Sequence, residues 1–87
     1  MFELHAIVKG DVQGVGFRAT AQSYARQLKL SGSVQNLHDG QVEIYAKGSK
    51  INLERLLSML QESFTIDSIN SNYTPCLRWE GEFQILF

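Results

Sequence analysis

Between residues 9 and 17 the hydrophobic period of the chain changes, across a stretch that holds three glycines in seven positions. Before it, Phe2, Leu4, Ala6 and Val8 mostly alternate with more polar neighbours, the period of a half-buried strand. After it, Phe17, Ala21, Tyr24, Ala25 and Leu28 fall at i, i+4, i+7, i+8 and i+11, one face of a helix. The connection reads Gly10-Asp11-Val12-Gln13-Gly14-Val15-Gly16. Such a run is a loop whose backbone takes unusual angles or lies close to something.

The rest of the chain repeats the strand–helix alternation. Ser31-Gly32 reads as a break, and Ser33 to Leu37 as a short strand. His38-Asp39-Gly40 is a hairpin connection, with Asp-Gly as the turn signal. Gln41 to Lys47 alternates again, with Val42, Ile44 and Ala46 on one face. Ser49 reads as the N-cap of a second helix, whose Leu53, Leu56, Leu57 and Leu60 form an amphipathic stripe read as core. Ile66 to Tyr73 is a weaker strand, and Phe83, Ile85 and Phe87 mark a closing one. Trp79 reads as a packing anchor near the last turn. The order β-α-β-β-α-β with a short C-terminal strand predicts an α+β, ferredoxin-like sandwich: an antiparallel sheet with two helices on one face. At 87 residues, one domain spanning 1–87 is expected.

Charge and cysteine content narrow the partners. A net charge of −1 gives no overall positive field for nucleic acid or an anionic membrane, so neither is expected. No run approaches a membrane span and no signal peptide is visible. Cys76 is the sole cysteine, so no intrachain disulfide can form and a cytoplasmic location is expected. Size and charge favour a monomer.

The predicted topology gathers chemistry at one end. If the first strand runs up, the glycine loop lies at the top, the first helix starts there, and the second strand returns to it. Arg18 on the first helical turn and Asn36 at the end of the second strand then face one place. A glycine loop leading into a helix N-terminus presents backbone N–H groups to an anion. Arg18 adds a permanent charge in a planar fork, set against the helix dipole, which favours an anionic partner. Asn36 cannot abstract a proton but can hold a water; on pattern alone, the reading as a residue that stabilises the turn before Asp39-Gly40 wins. The nucleotide-loop Lys-Ser/Thr ending is missing. No carboxylate cluster points to a metal, no nucleophile sits beside a base, and no cofactor is expected. A phosphate ester would lack help for its leaving group. An acyl phosphate expels a carboxylate, whose conjugate acid has a pKa of about 4, and needs mainly positioning and charge stabilisation.

The stretch Val8-Lys9-Gly10-Asp11-Val12-Gln13-Gly14-Val15-Gly16-Phe17-Arg18 closely resembles the signature of the acylphosphatase family, V-x-G-x-V-Q-G-V-x-F-R. A second family block is matched by Gly32-Ser33-Val34-Gln35-Asn36 and then Asp39-Gly40-Gln41-Val42, and Phe83-Gln84-Ile85 is similar to the closing strand. The resemblance implies the ferredoxin-like fold and metal-free hydrolysis of acyl phosphates. It implies that Arg18 binds the phosphate and Asn36 orients the attacking water. It maps the amides that cradle phosphate onto Gly10, Asp11, Val12, Gln13, Gly14 and Val15, where a phosphate or sulfate ion is expected to bind. Many members carry Trp where Ser33 stands, and Ser or Thr near Leu37 and Gln41, whose hydroxyls support the Asn. The common Gly-Pro after the second helix is replaced by Glu62-Ser63-Phe64. A lower turnover is the expectation from these departures. Two rivals stand beside the enzyme. One is a non-catalytic phosphate-binding regulatory module on the same fold. The other is an accessory domain of the kind found at the N-terminus of large carbamoyl-transfer proteins, against which the 87-residue length argues.

Overall fold

The computed structural model describes residues 1–77 and 81–86. Its elements are β1 (Phe2–Gly10), α1 (Phe17–Gln27), β2 (Ser31–Asn36), β3 (Val42–Gly48), α2 (Lys50–Ser63), β4 (Ile66–Pro75) and β5 (Phe83–Leu86). The strands form one sheet in the order β4-β1-β3-β2-β5. Trp79 and Phe87, read above as an anchor and as part of the closing strand, lie outside the described residues.

The period-two faces of the strands build the core. Leu4, Ala6 and Val8 of β1, Val34 of β2 and Val42, Ile44 and Ala46 of β3 are completely buried on one face of the sheet. Phe17, Ala21 and Ala25 of α1 and Leu53, Leu56 and Leu60 of α2 close over it in the same cluster. Removing each leucine side chain from water contributes about 1.5–3 kcal/mol, so these stripes hold the helices to the sheet. The opposite face carries His5 stacked on Tyr45, with ring centroids 4.4 Å apart, and His5 Nε2 lies 2.8 Å from Glu43 Oε2.

The α+β sandwich expected from the periodicity is present, with a mixed sheet. Strands β4, β1, β3 and β2 pair antiparallel throughout. The exception is β5, which runs parallel to β2 with Gly32 opposite Phe83 and Val34 opposite Ile85. Alternation gives a strand its faces but not its neighbour or direction, so this pairing was not visible in the sequence. Its consequence is positional: β5 runs to the same end of the sheet as β2, and Ile85 arrives beside the end that carries Asn36.

Two boundaries shift for physical reasons. The break after α1 is not at Ser31-Gly32, which lie inside β2. It is at Lys29, which adopts a left-handed φ of 57°. Lys29 N–H donates to Arg26 O at 3.1 Å and Leu30 N–H to Ala25 O at 2.9 Å, the paired bonds of a Schellman ending without its usual glycine. Strand β4 runs on to Pro75, past Tyr73, because it is an edge strand and a proline there leaves no inner ladder bond unmade. Helix α2 starts as expected, with the Ser49 side chain accepting a bond from Asn52 N–H at 3.2 Å.

Candidate active site

The loop between β1 and α1 is anchored in its first half and open in its second. The pairing of β1 with β4 slips between Lys9 and Gly10, and Asp11 N–H donates to Thr65 O at 2.9 Å, fixing the stem. Val12 turns its side chain into the core and is 1% exposed. The Gln13 side chain reaches the β2–β3 hairpin, its Nε2 donating to Leu37 O at 2.8 Å and to Gln41 O at 2.9 Å. Gly14, Val15 and Gly16 are exposed. Gly14 and Gly16 have φ of 75° and 80°, and a Cβ on either would meet no atom within 4 Å. Glycine is thus required there by backbone conformation, and the space a side chain would fill stays clear for a ligand to approach the chain.

Helix α1 begins without protein help. Its N-cap is Gly16, no side chain caps it, and its first turn holds no acidic residue. The first N–H groups of the helix therefore face the loop with the positive end of the dipole behind them. Arg18 stands in that turn. Its Nη1 lies 3.5 Å from Leu86 O, which ties the guanidinium loosely to the end of β5.

These pieces enclose a cavity of about 180 Å³ lined by Val12, Gly14, Gly16, Phe17, Arg18, Ala19, Asn36 and Ile85. Of the residues singled out from the sequence, Arg18, Asn36, Val12 and Gly14 meet in its wall. Gly10, Asp11, Gln13 and Val15 belong to the loop but do not line it. Ile85 was not singled out; its alternation with Phe83 marked it as core, and only the parallel β2–β5 pairing brings it here. The lining is thus mixed, with a cation from Arg18, bare backbone at Gly14 and Gly16, and apolar side chains from Val12, Phe17, Ala19 and Ile85.

Asn36 is the feature that the fold alone does not explain. Its Oδ1 is buried and makes no hydrogen bond to any described residue. An acceptor left so costs about 1–3 kcal/mol, and the cost is removed by a water or ligand donating to it. The hairpin beyond it has no hydroxyl at position 37 or 41. It is held instead by Gln13, by Leu37 N–H donating to Gln41 O at 2.8 Å, and by Asp39, whose carboxylate accepts from the Gln41 backbone at 3.2 Å and from the Gln41 side chain. The Gln41 backbone N–H is the main reason that the Asp39 carboxyl lies below its ordinary range. His38 is exposed in the same turn. Among the described residues no group of three or more His, Cys, Asp and Glu is placed to hold a metal ion. No described helix is long and apolar enough to cross a membrane.

Comparison with known proteins gives the arrangement its kin. The family model described as Acylphosphatase matches residues 4–84. An acylphosphatase of Thermus thermophilus is 53% identical over 62 residues, which cover 71% of this chain and 70% of that one. The crystal structure of acylphosphatase from Bacillus subtilis superposes with a TM-score of 0.92 at 34% identity, covering the whole of both chains. HypF of T. kodakarensis also matches, with a TM-score of 0.83 at 30% identity, but this chain covers only 12% of it. A family match over nearly the whole sequence and a superposition covering the full length of both chains lead to one assignment: the chain belongs to the acylphosphatase family.

Proposed function

We propose that the acylphosphatase activity of this chain is carried by Arg18 and Asn36 at the mouth of the glycine loop, acting without a metal. The observation that carries this reading is Asn36, whose Oδ1 is buried and unpartnered among the described residues, lining the same cavity as Arg18, Gly14 and Gly16. The phosphoryl group of an acyl phosphate sits over the loop from Gly10 to Val15, held by its backbone N–H groups other than that of Asp11, which donates to Thr65 O, by the start of α1 and by the Arg18 guanidinium. Inorganic phosphate or sulfate binds in the same place. Asn36 accepts a hydrogen bond from a water and orients its oxygen towards phosphorus.

Attack forms a bond from that oxygen to phosphorus while the bond from phosphorus to the carboxyl oxygen breaks. The acyl group leaves as a carboxylate, stable near neutral pH without a proton from the protein. The water's proton passes to a phosphoryl oxygen, so the products are carboxylate and dihydrogen phosphate, and no protein base is needed. Donors held in place before the reaction stabilise charge on the phosphoryl oxygens without reorganising. The apolar side chain of Ile85 suits the uncharged acyl end.

We further infer that residues 1–87 form one acylphosphatase-like domain, acting as a cytoplasmic monomer on a small-molecule substrate. A lone cysteine and a near-neutral charge support that setting. The test is hydrolysis of benzoyl phosphate in EDTA by the wild type, Arg18→Ala and Asn36→Ala. Turnover is expected in the wild type, with a loss on the order of 10²–10³ in each variant. Full activity in either variant removes that residue from its role. Phosphate binding without turnover in the wild type would make the cavity a binding site only.

A further inference from the structure

Asn36 Oδ1 takes no hydrogen bond from any described residue, so its place is set by the backbone that carries it. That backbone is the last rung of a hairpin: Asn36 pairs with Val42, and no registered β2–β3 pair lies beyond them. Past this rung the chain turns through Leu37 and Gln41, where Leu37 N–H donates to Gln41 O at 2.8 Å and Gly40 N–H donates to Leu37 O at 3.3 Å. Each of these two carbonyls has a second lone pair. One nitrogen takes both: Gln13 Nε2, at 2.8 Å from Leu37 O and 2.9 Å from Gln41 O. The two hydrogens of a single amide therefore bridge the hairpin at the residue after Asn36 and the residue before Val42. Gln13 itself lies between buried Val12 and the open Gly14, in the loop over which the phosphoryl group is placed.

We propose that Gln13 is a positioning residue: its side-chain amide fixes Asn36, and so the attacking water, relative to the phosphate loop. This rests on the water-orienting role given to Asn36 above. The loop binds phosphorus and the hairpin binds water, on separate elements. In-line attack needs the two held to within a fraction of an ångström, and a displacement of about 1 Å can cost on the order of 10²-fold in rate. Only a double donor fits the place. A glutamate of the same shape would turn carboxylate oxygens towards two carbonyl oxygens, and a methionine would leave both carbonyls without their second bond.

The experiment compares Gln13→Met and Gln13→Glu with the wild type, on benzoyl phosphate turnover and on competitive inhibition by inorganic phosphate. It repeats Gln13→Met in the Asn36→Ala background. If Gln13→Met does not fold, Gln13→Ser takes its place, since it removes the reach while keeping a small polar loop residue. The expected result is a kcat lower by about 10–100-fold with the phosphate inhibition constant within about 2-fold. In the Asn36→Ala background the further loss should be under about 3-fold, since a residue acting through Asn36 has little left to do there. An unchanged kcat, a phosphate inhibition constant that rises in step with the lost rate, or a full additional loss in the Asn36→Ala background overturns the proposal. Full turnover in Asn36→Ala alone would instead overturn the role of Asn36, a separately readable failure.

Discussion

Two glycines of this chain do different work, and the structure separates them. Gly32 sits inside β2 with a φ of 131°, and a Cβ there would collide with Tyr45 O and lie 2.8 Å from Ala46 Cα. Gly14 has a φ of 75° with nothing within 4 Å of its Cβ position. Gly32→Ala is therefore expected to destabilise the fold by at least the roughly 1–3 kcal/mol of a strained backbone, because neither strand can move away. Gly14→Ala should cost only about 1–2 kcal/mol but put a methyl where the phosphoryl group approaches, weakening phosphate inhibition several-fold. Denaturant unfolding and phosphate inhibition of the two variants, read together, check this, and the opposite ranking would contradict it. In the sequence both were simply glycines of a matched block. The resemblance pointed to Arg18 and Asn36, but the reach of the Gln13 side chain to Leu37 and Gln41 was not legible, since it spans 24 and 28 residues.

At the scale of elements, the strands and helices were readable wherever a face is buried on one side. Strands β1 and β3 and the leucine stripe of α2 fell where their periods placed them. The ends were read less well. The Ser31-Gly32 pair looked like a break because both residues favour turns, yet Gly32 is in a strand to let Tyr45 pass close. The true helix stop, Lys29, carries no turn signal of its own. It holds a left-handed φ of 57° at the position where a Schellman ending takes glycine. Lys29→Gly is thus expected to stabilise the protein by about 0.5–1 kcal/mol, the relief of left-handed strain less the chain entropy that glycine adds. Chemical denaturation measures it. A loss of stability would mean that the lysine stem contributes packing worth more than the strain. The Ser49 cap shows the reverse case, where a side-chain acceptor at the right offset made the start of α2 readable.

At the scale of the molecule, the site exists because the sheet order brings distant segments to one end. Val12, Gly14, residues 16–19, Asn36 and Ile85 line one cavity although they lie on a loop, a helix and two strands. The first two groups could be brought together from the predicted β-α-β path. The third required the parallel β2–β5 pairing, which no local pattern encodes. The resulting cavity joins a cation, bare glycine backbone and apolar side chains, and it is also lined by Asn36, whose Oδ1 is unpartnered among the described residues. The roles proposed for Asn36 and Arg18 put the attack at phosphorus and not at the acyl carbon. The direct measurement is hydrolysis of benzoyl phosphate in water enriched in oxygen-18, with EDTA present, followed by mass spectrometry of both products. The label is expected in inorganic phosphate, with benzoate unlabelled. Label in benzoate would mean that water attacks the carbonyl carbon, and that Asn36 and Arg18 do not do what is proposed for them.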